Sequence, residues 1–147
     1  MLAQTGERPS FRTARVFQAP RRRVFAAFTN AERITEWFAP NGFTMPSCDI
    51  DPRPGGVFRY VFRGPDGKDY PFNGLFIEVV GNQRIVYTGK IQDDVEVDTT
   101  VNLVDRGDGM TALNVEQIFS RESASTRGAP EGWKQSLEHL DAFLSIS

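Results

Sequence analysis

The chain has 147 residues, of which 39% are hydrophobic, 12% aromatic and 24% charged, and its formal net charge is −2. That length suits one domain with a sizeable core, and the balance excludes a disordered chain and a nucleic-acid binder, which needs an excess of Lys and Arg. A single cysteine, Cys48, and a single histidine, His139, exclude disulfide scaffolds, zinc fingers and His-rich metal centres.

Residues 1–10 carry Glu7 and Arg8 and lack the apolar stretch of a secretory signal. They are expected to form a flexible tail ahead of one domain over 11–147. No apolar run approaches the ~20 residues that cross a bilayer, so membrane insertion is not expected and the chain reads as cytoplasmic.

The alternation of Phe11, Thr13, Arg15 and Phe17 predicts a first strand over 11–18. Pro20 suits the first position of a helix, whose apolar side is Val24, Phe25 and Phe28. Arg21, Arg22 and Arg23 read as a solvated face. Thr29 and Glu32 have capping-box spacing, which predicts a second short helix over 32–38 with Ile34, Trp37 and Phe38 on its apolar side. Strands follow over 44–51, 57–63, 70–80, 84–91, 96–105 and 111–119, with turns at Pro54-Gly55-Gly56, Pro65-Asp66-Gly67, Gly81-Asn82 and Gly107-Asp108-Gly109. Phe58, Tyr60 and Phe62 share one face of the third strand. Ile85 and Tyr87 share one face of the fifth. The sixth and seventh strands present Val97, Thr99, Val101 and Leu103, and Leu113, Val115, Gln117 and Phe119.

The strand over 70–80 is ambiguous. Either Phe72, Gly74, Phe76 and Glu78 face inward, or Asn73, Leu75, Ile77 and Val79 do, and a bulge near Gly74 would mix the two. An inward Glu78 would be a candidate acid or base. The chain closes with a helix expected to start at Pro130, on which Trp133, Leu137, Leu140 and Leu144 form an apolar stripe. His139 points away from that stripe. The fold class is α+β, a bent antiparallel sheet covered by the last helix.

Three segments carry a resemblance. They are residues 16–40 (VFQAPRRRVFAAFTNAERITEWFAP), residues 49–88 (DIDPRPGGVFRYVFRGPDGKDYPFNGLFIEVVGNQRIVYT) and residues 131–144 (EGWKQSLEHLDAFL). Together they resemble the START-like (SRPBCC) superfamily, which shares the helix-grip fold of the birch-pollen allergen. The middle segment is most similar to the branch of heat-shock-protein ATPase activator homologues, often grouped with polyketide cyclases. The resemblance implies a curved sheet gripping the C-terminal helix around an apolar cavity. Members bind lipids, sterols, polyketides or plant hormones, and some catalyse cyclisation or hydrolysis. No second domain like that of the chaperone activator is expected over these residues, which weighs against direct chaperone stimulation.

On that basis the candidate ligand-binding residues are Trp37, Phe38, Phe58, Tyr60, Phe62, Tyr87, Val101, Val115, Gln117, Phe119, Trp133 and Leu137. Leu113 joins them on the inner face. Trp37 and Phe38 are expected at one mouth, and Trp133 and Leu137 on the helical wall. The competing reading is that all of them are core. Tyr60, Tyr87 and Gln117 are the polar handles. The expected function is binding of a small apolar or amphipathic molecule. The alternatives are a cyclase, dehydratase or hydrolase on such a molecule, and a stress-related interaction module. No nucleophile elbow, phosphate loop or dinucleotide fingerprint occurs, so no catalytic residue and no cofactor is assigned. Asp93, Asp94, Glu96 and Asp98 read as a solvated patch rather than a metal site, and no metal is expected. Val57, Val61 and Val86 on the outer face leave a homodimer possible.

Overall fold

The computed structural model describes residues 8–146. Most of the expected N-terminal tail lies outside them, and Ser10 already belongs to the first strand. The elements are β1 (Ser10–Phe17), α1 (Arg21–Thr29), α2 (Ala31–Ile34), β2 (Thr44–Ile50), β3 (Val57–Arg63), β4 (Asp69–Val80), β5 (Arg84–Lys90), a short 3₁₀ turn (Gln92–Asp94), β6 (Glu96–Gly107), β7 (Met110–Phe119) and α3 (Ala124–Ile146). The seven strands form one sheet in the order β1-β7-β6-β5-β4-β3-β2, and every neighbouring pair is antiparallel. The chain therefore passes from one edge strand to the other through α1 and α2. The later strands fill the sheet by hairpins, and α3 closes the inner face.

Period-two patterning explains the inner face. Phe58 and Tyr60, Ile85 and Tyr87, Val97 to Leu103, and Leu113 to Phe119 are buried at alternate positions. Val57, by contrast, is 50% exposed on the outer face.

The ambiguity of β4 resolves at a bulge. Phe76 pairs with Tyr87 and Glu78 pairs with Val86, so Ile77 is the extra residue. Phe72, Gly74 and Phe76 face inward before the bulge, and Val79 is half-buried after it. Glu78 is exposed and ion-paired to Arg84, so it is no candidate acid or base for the cavity. The irregularity falls three residues beyond Gly74. Gly74 itself pairs with Gly89 across the β4–β5 ladder. A Cβ on Gly74 would stand 1.9 Å from the Thr88 carbonyl oxygen and 2.8 Å from Phe58, so the two glycines leave the space in which the Phe58 ring lies.

The helices differ from expectation at their starts. Pro20 is the N-cap of α1, one place before the helix, and its carbonyl accepts from Arg23 and Val24. Thr29 stays in the last turn of α1, where its hydroxyl donates to Phe25. Asn30 therefore caps α2 instead, accepting from the Arg33 N–H at 3.2 Å, and the helix runs only over Ala31–Ile34 before turns carry Trp37 and Phe38. α3 begins at Ala124, six residues before Pro130. Ser123 and Thr126 cap it reciprocally: the Thr126 N–H donates to Ser123 Oγ and the Ser123 N–H donates to Thr126 Oγ1. Pro130 sits inside the helix, where it cannot donate to the Thr126 carbonyl. Arg23 is not merely solvated. It donates to the Leu144 carbonyl at 2.7 Å, a cation at the carboxyl end of α3.

Candidate functional site: a cavity between α3 and the sheet

The inner face of the fold has two halves. Beneath the C-terminal half of α3, Leu137, Leu140 and Leu144 belong with Val101, Leu103, Leu113, Val115, Val24 and Phe28 to the buried apolar core. Beneath the N-terminal half lies a cavity of about 390 Å³. That volume is in the range of small-molecule sites.

The cavity exists because α3 is thin there. Ser125, Ala129, Gly132 and Ser136 face it at i, i+4, i+7 and i+11, with Trp133 beside them. A Cβ on Gly128 or Gly132 would meet nothing within 4 Å. The facing sheet contributes Phe62, Phe72, Tyr87, Val97, Gln117 and Phe119. Phe38, Pro40, Phe43, Tyr70, Pro71, Ile91, Gln92 and Gly128 complete the lining.

Phe38 is the hub of the aromatic wall. Its ring lies 5.4 Å from Trp133, 5.8 Å from Phe62 and 5.8 Å from Tyr60. α3 holds this stretch of chain in place from several residues. Ser136 donates to the Phe38 carbonyl at 2.6 Å, and Gln135 accepts from the Asn41 N–H at 3.0 Å. His139, which points away from the leucine stripe, bonds the Ala39 carbonyl at 3.0 Å and Asn41 Oδ1 at 2.7 Å. Both ring nitrogens are thereby engaged in tying down this loop.

Of the twelve candidates, Phe38, Phe62, Tyr87, Gln117, Phe119 and Trp133 line the cavity. Phe58, Tyr60, Val101, Val115 and Leu137 lie behind it in the core, as does Leu113. Trp37 does not guard a mouth. It is 1% exposed, stacks edge-on against Phe28 at 4.8 Å and donates its indole N–H to the Ala27 carbonyl. The helix-borne lining residues Ser125, Gly128, Ala129, Gly132 and Ser136 were not anticipated, nor were Pro40, Phe43, Tyr70, Pro71, Ile91, Gln92 and Val97, whereas Phe72 belongs to one of the two inward alternatives for its strand. A stripe of small residues beside a leucine stripe is the sequence signal for the helical wall. On a helical wheel the four small residues fall within about 60° of one another.

The polar groups of the cavity are few and ordered. Tyr87, Thr99 and Gln117 stand directly opposite one another on β5, β6 and β7. Gln117 Nε2 donates to Thr99 Oγ1 at 2.9 Å, and the Thr99 hydroxyl hydrogen-bonds Tyr87. Burial drives the Tyr87 pKa far above its ordinary value, against a smaller opposing effect of Thr99. Tyr60 is raised likewise by burial, then by Tyr87 and Cys48. Tyr70 donates to Asp66 at 2.9 Å, which raises its pKa. These phenols are donors at neutral pH, not bases. Among the described residues no carboxylate, imidazole or ammonium lines the cavity. Among the described residues no three metal-ligating side chains cluster, and no helix is long and apolar enough to cross a membrane.

The family described as Activator of Hsp90 ATPase homolog 1-like protein matches residues 18–145. Among solved structures, protein CV1439 from Chromobacterium violaceum is 30% identical, with a TM-score of 0.81 over 90% of this chain and 94% of its own. Protein NE0264 from Nitrosomonas europaea is 24% identical, with a TM-score of 0.84 over 93% of this chain and 94% of its own. CalU16 from Micromonospora echinospora is 23% identical and shares the fold, with a TM-score of 0.74 over 95% of this chain and 78% of its own. No curated protein matches the chain.

Proposed function

The chain belongs to the family of Activator of Hsp90 ATPase homolog 1-like proteins, with the START-like fold, and from that premise we propose that it binds a small, neutral, largely apolar molecule in the cavity between α3 and the sheet. One observation carries the reading. The helix face over the cavity is built from Ser125, Ala129, Gly132 and Ser136, whereas the same helix fills the core one turn further on with leucines. A helix selected only for packing has no reason to leave that volume open, because filling it would add apolar burial at ~25 cal/mol per Å².

The lining favours binding over proton-transfer chemistry. Aromatic rings give contact area to a flat, apolar ligand. General acid–base catalysis needs a group that titrates near the working pH. The lining phenols, Tyr70 and Tyr87, are both shifted away from neutrality.

The test is native mass spectrometry of the protein purified from its own cells, beside the variant Gly132→Trp. An indole at position 132 enters open space, so the variant is expected to fold and to lose the cavity. Added mass on the wild type, lost on denaturation and absent from the variant, is the expected result. Equal added mass on both proteins would place binding elsewhere.

A further inference from the structure

The row Tyr87–Thr99–Gln117 marks the boundary between the two halves of the inner face. The next row towards the core is Ile85, Val101 and Val115, and the next row outwards includes Gly89, Val97 and Phe119. A polar row at this depth is costly unless each of its groups is hydrogen-bonded. Its internal bonds run in one direction. Gln117 donates to Thr99. Thr99 Oγ1, having accepted from Gln117, keeps its own O–H to give, and the Tyr87 phenol is its hydrogen-bond neighbour across the β5–β6 pair. Thr99, fully buried, is satisfied on both sides.

That direction leaves two loose ends, one of each kind. Gln117 is 6% exposed and lines the cavity, its Nε2 is committed to Thr99, and its Oε1 has no partner among the described residues. Tyr87, also 6% exposed, accepts from Thr99 and retains its own O–H to give. The cavity floor thus offers one acceptor and one donor, with Thr99 beneath them.

Resting on the reading that the cavity is a binding site, we infer that this row is its specificity element. The ligand class is a neutral ring compound bearing a hydroxyl-type group that donates to Gln117 Oε1 and accepts from the Tyr87 hydroxyl. A ligand lacking the donor leaves a buried carbonyl oxygen unpaired, the costlier way to lose a hydrogen bond. An anionic ligand is disfavoured, because no cation lines the cavity to offset its desolvation.

The experiment uses hydroxypyrene, methoxypyrene and pyrene as probes, followed by fluorescence at neutral pH. They present donor plus acceptor, acceptor only, and neither, on one frame. The wild type is expected to bind hydroxypyrene on the order of tenfold more tightly than methoxypyrene. Gln117→Met is expected to erase that preference, bringing hydroxypyrene and methoxypyrene to equal affinity, whereas a merely structural role would weaken all three probes in proportion and keep it. Tyr87→Phe is expected to weaken hydroxypyrene and methoxypyrene together relative to pyrene. If Gly132→Trp abolishes binding of all three probes but the wild type does not distinguish them, the cavity binds and the row does not select. A preference that survives Gln117→Met has the same meaning. If the wild type binds none of them, or Gly132→Trp changes nothing, the cavity reading fails and takes this inference with it.

Discussion

Ser136 gives its hydroxyl proton to the carbonyl of Phe38 at 2.6 Å, in a buried contact that joins α3 to the turn leaving α2. Phe38 is also the ring on which Trp133, Phe62 and Tyr60 converge. Together with the bonds of Gln135 and His139 to Asn41 and Ala39, this contact ties the aromatic wall to α3. Ser136→Ala leaves a buried carbonyl without a partner, which costs about 1–3 kcal/mol. The expected result is a lower urea midpoint with an unchanged slope. An unchanged midpoint would mean that Gln135 and His139 hold the loop unaided.

The two tryptophans separate core from wall. Trp37 is enclosed by Phe28, Phe38 and the Ala27 carbonyl, so Trp37→Ala opens a new void and is expected to cost about 3–5 kcal/mol. Trp133 already has the cavity on one side, so fewer contacts are lost and a cost of about 2 kcal/mol is expected. Probe binding should respond in the opposite order, with Trp133→Ala losing affinity and Trp37→Ala, where still folded, retaining it. Chemical denaturation paired with pyrene titration reads both.

The difference between these tryptophans shows what the sequence reveals of this fold and what it hides. Alternation along β3, β5, β6 and β7 identifies the inner face directly, because a side-chain period of two survives any sheet curvature. The bulge at Ile77 is hidden, since one inserted residue merely exchanges two faces that are both largely apolar. The start of α3 is obscured by Pro130, whose preference for a helix N-terminus competes with the Ser123–Thr126 cap upstream. Most elusive is the cavity, because it is made of absent volume. A search for large inward aromatics finds the core as readily as the wall, as Phe58, Tyr60 and Trp37 show. The small residues Ser125, Ala129 and Gly132 carry the information instead.

Tyr60 tests whether a buried polar atom without a protein partner is a burden here. It is 4% exposed, lies outside the cavity lining, and its hydroxyl bonds nothing among the described residues. Tyr60→Phe removes that oxygen and keeps the stacking on Phe58 at 4.9 Å. Stability is expected to be equal to the wild type or higher by about 1 kcal/mol. Tyr87→Phe should do the reverse, because it strips the Thr99 hydroxyl of its acceptor. Thermal unfolding of the two variants side by side checks the contrast, and a clear loss of stability in Tyr60→Phe would count against it.

Alkaline pH should loosen the fold through the same inner face. Burial, aided by the Asp49 charge, raises Cys48 from 9.0 to about 11. Between those values the unfolded chain has released its thiol proton while the folded chain still holds it. Raising the pH therefore favours unfolding, and the stability present below pH 9.0 is lost progressively towards about 11. Tyr60 and Tyr87 add to the trend above their ordinary value of 10.0, since both are pushed upwards by burial. The urea midpoint is expected to be flat through neutrality and to fall from about pH 9 upwards. Cys48→Ala should delay the onset without abolishing the fall, because the two phenols remain. A thiol reagent offers an independent check at mildly alkaline pH, where Cys48 should react about a hundredfold more slowly than a free thiol, its thiolate fraction being lower by that factor. Rapid labelling together with a flat alkaline profile would place Cys48 in solvent, facing away from the Tyr60 ring that it pairs with across the β2–β3 ladder.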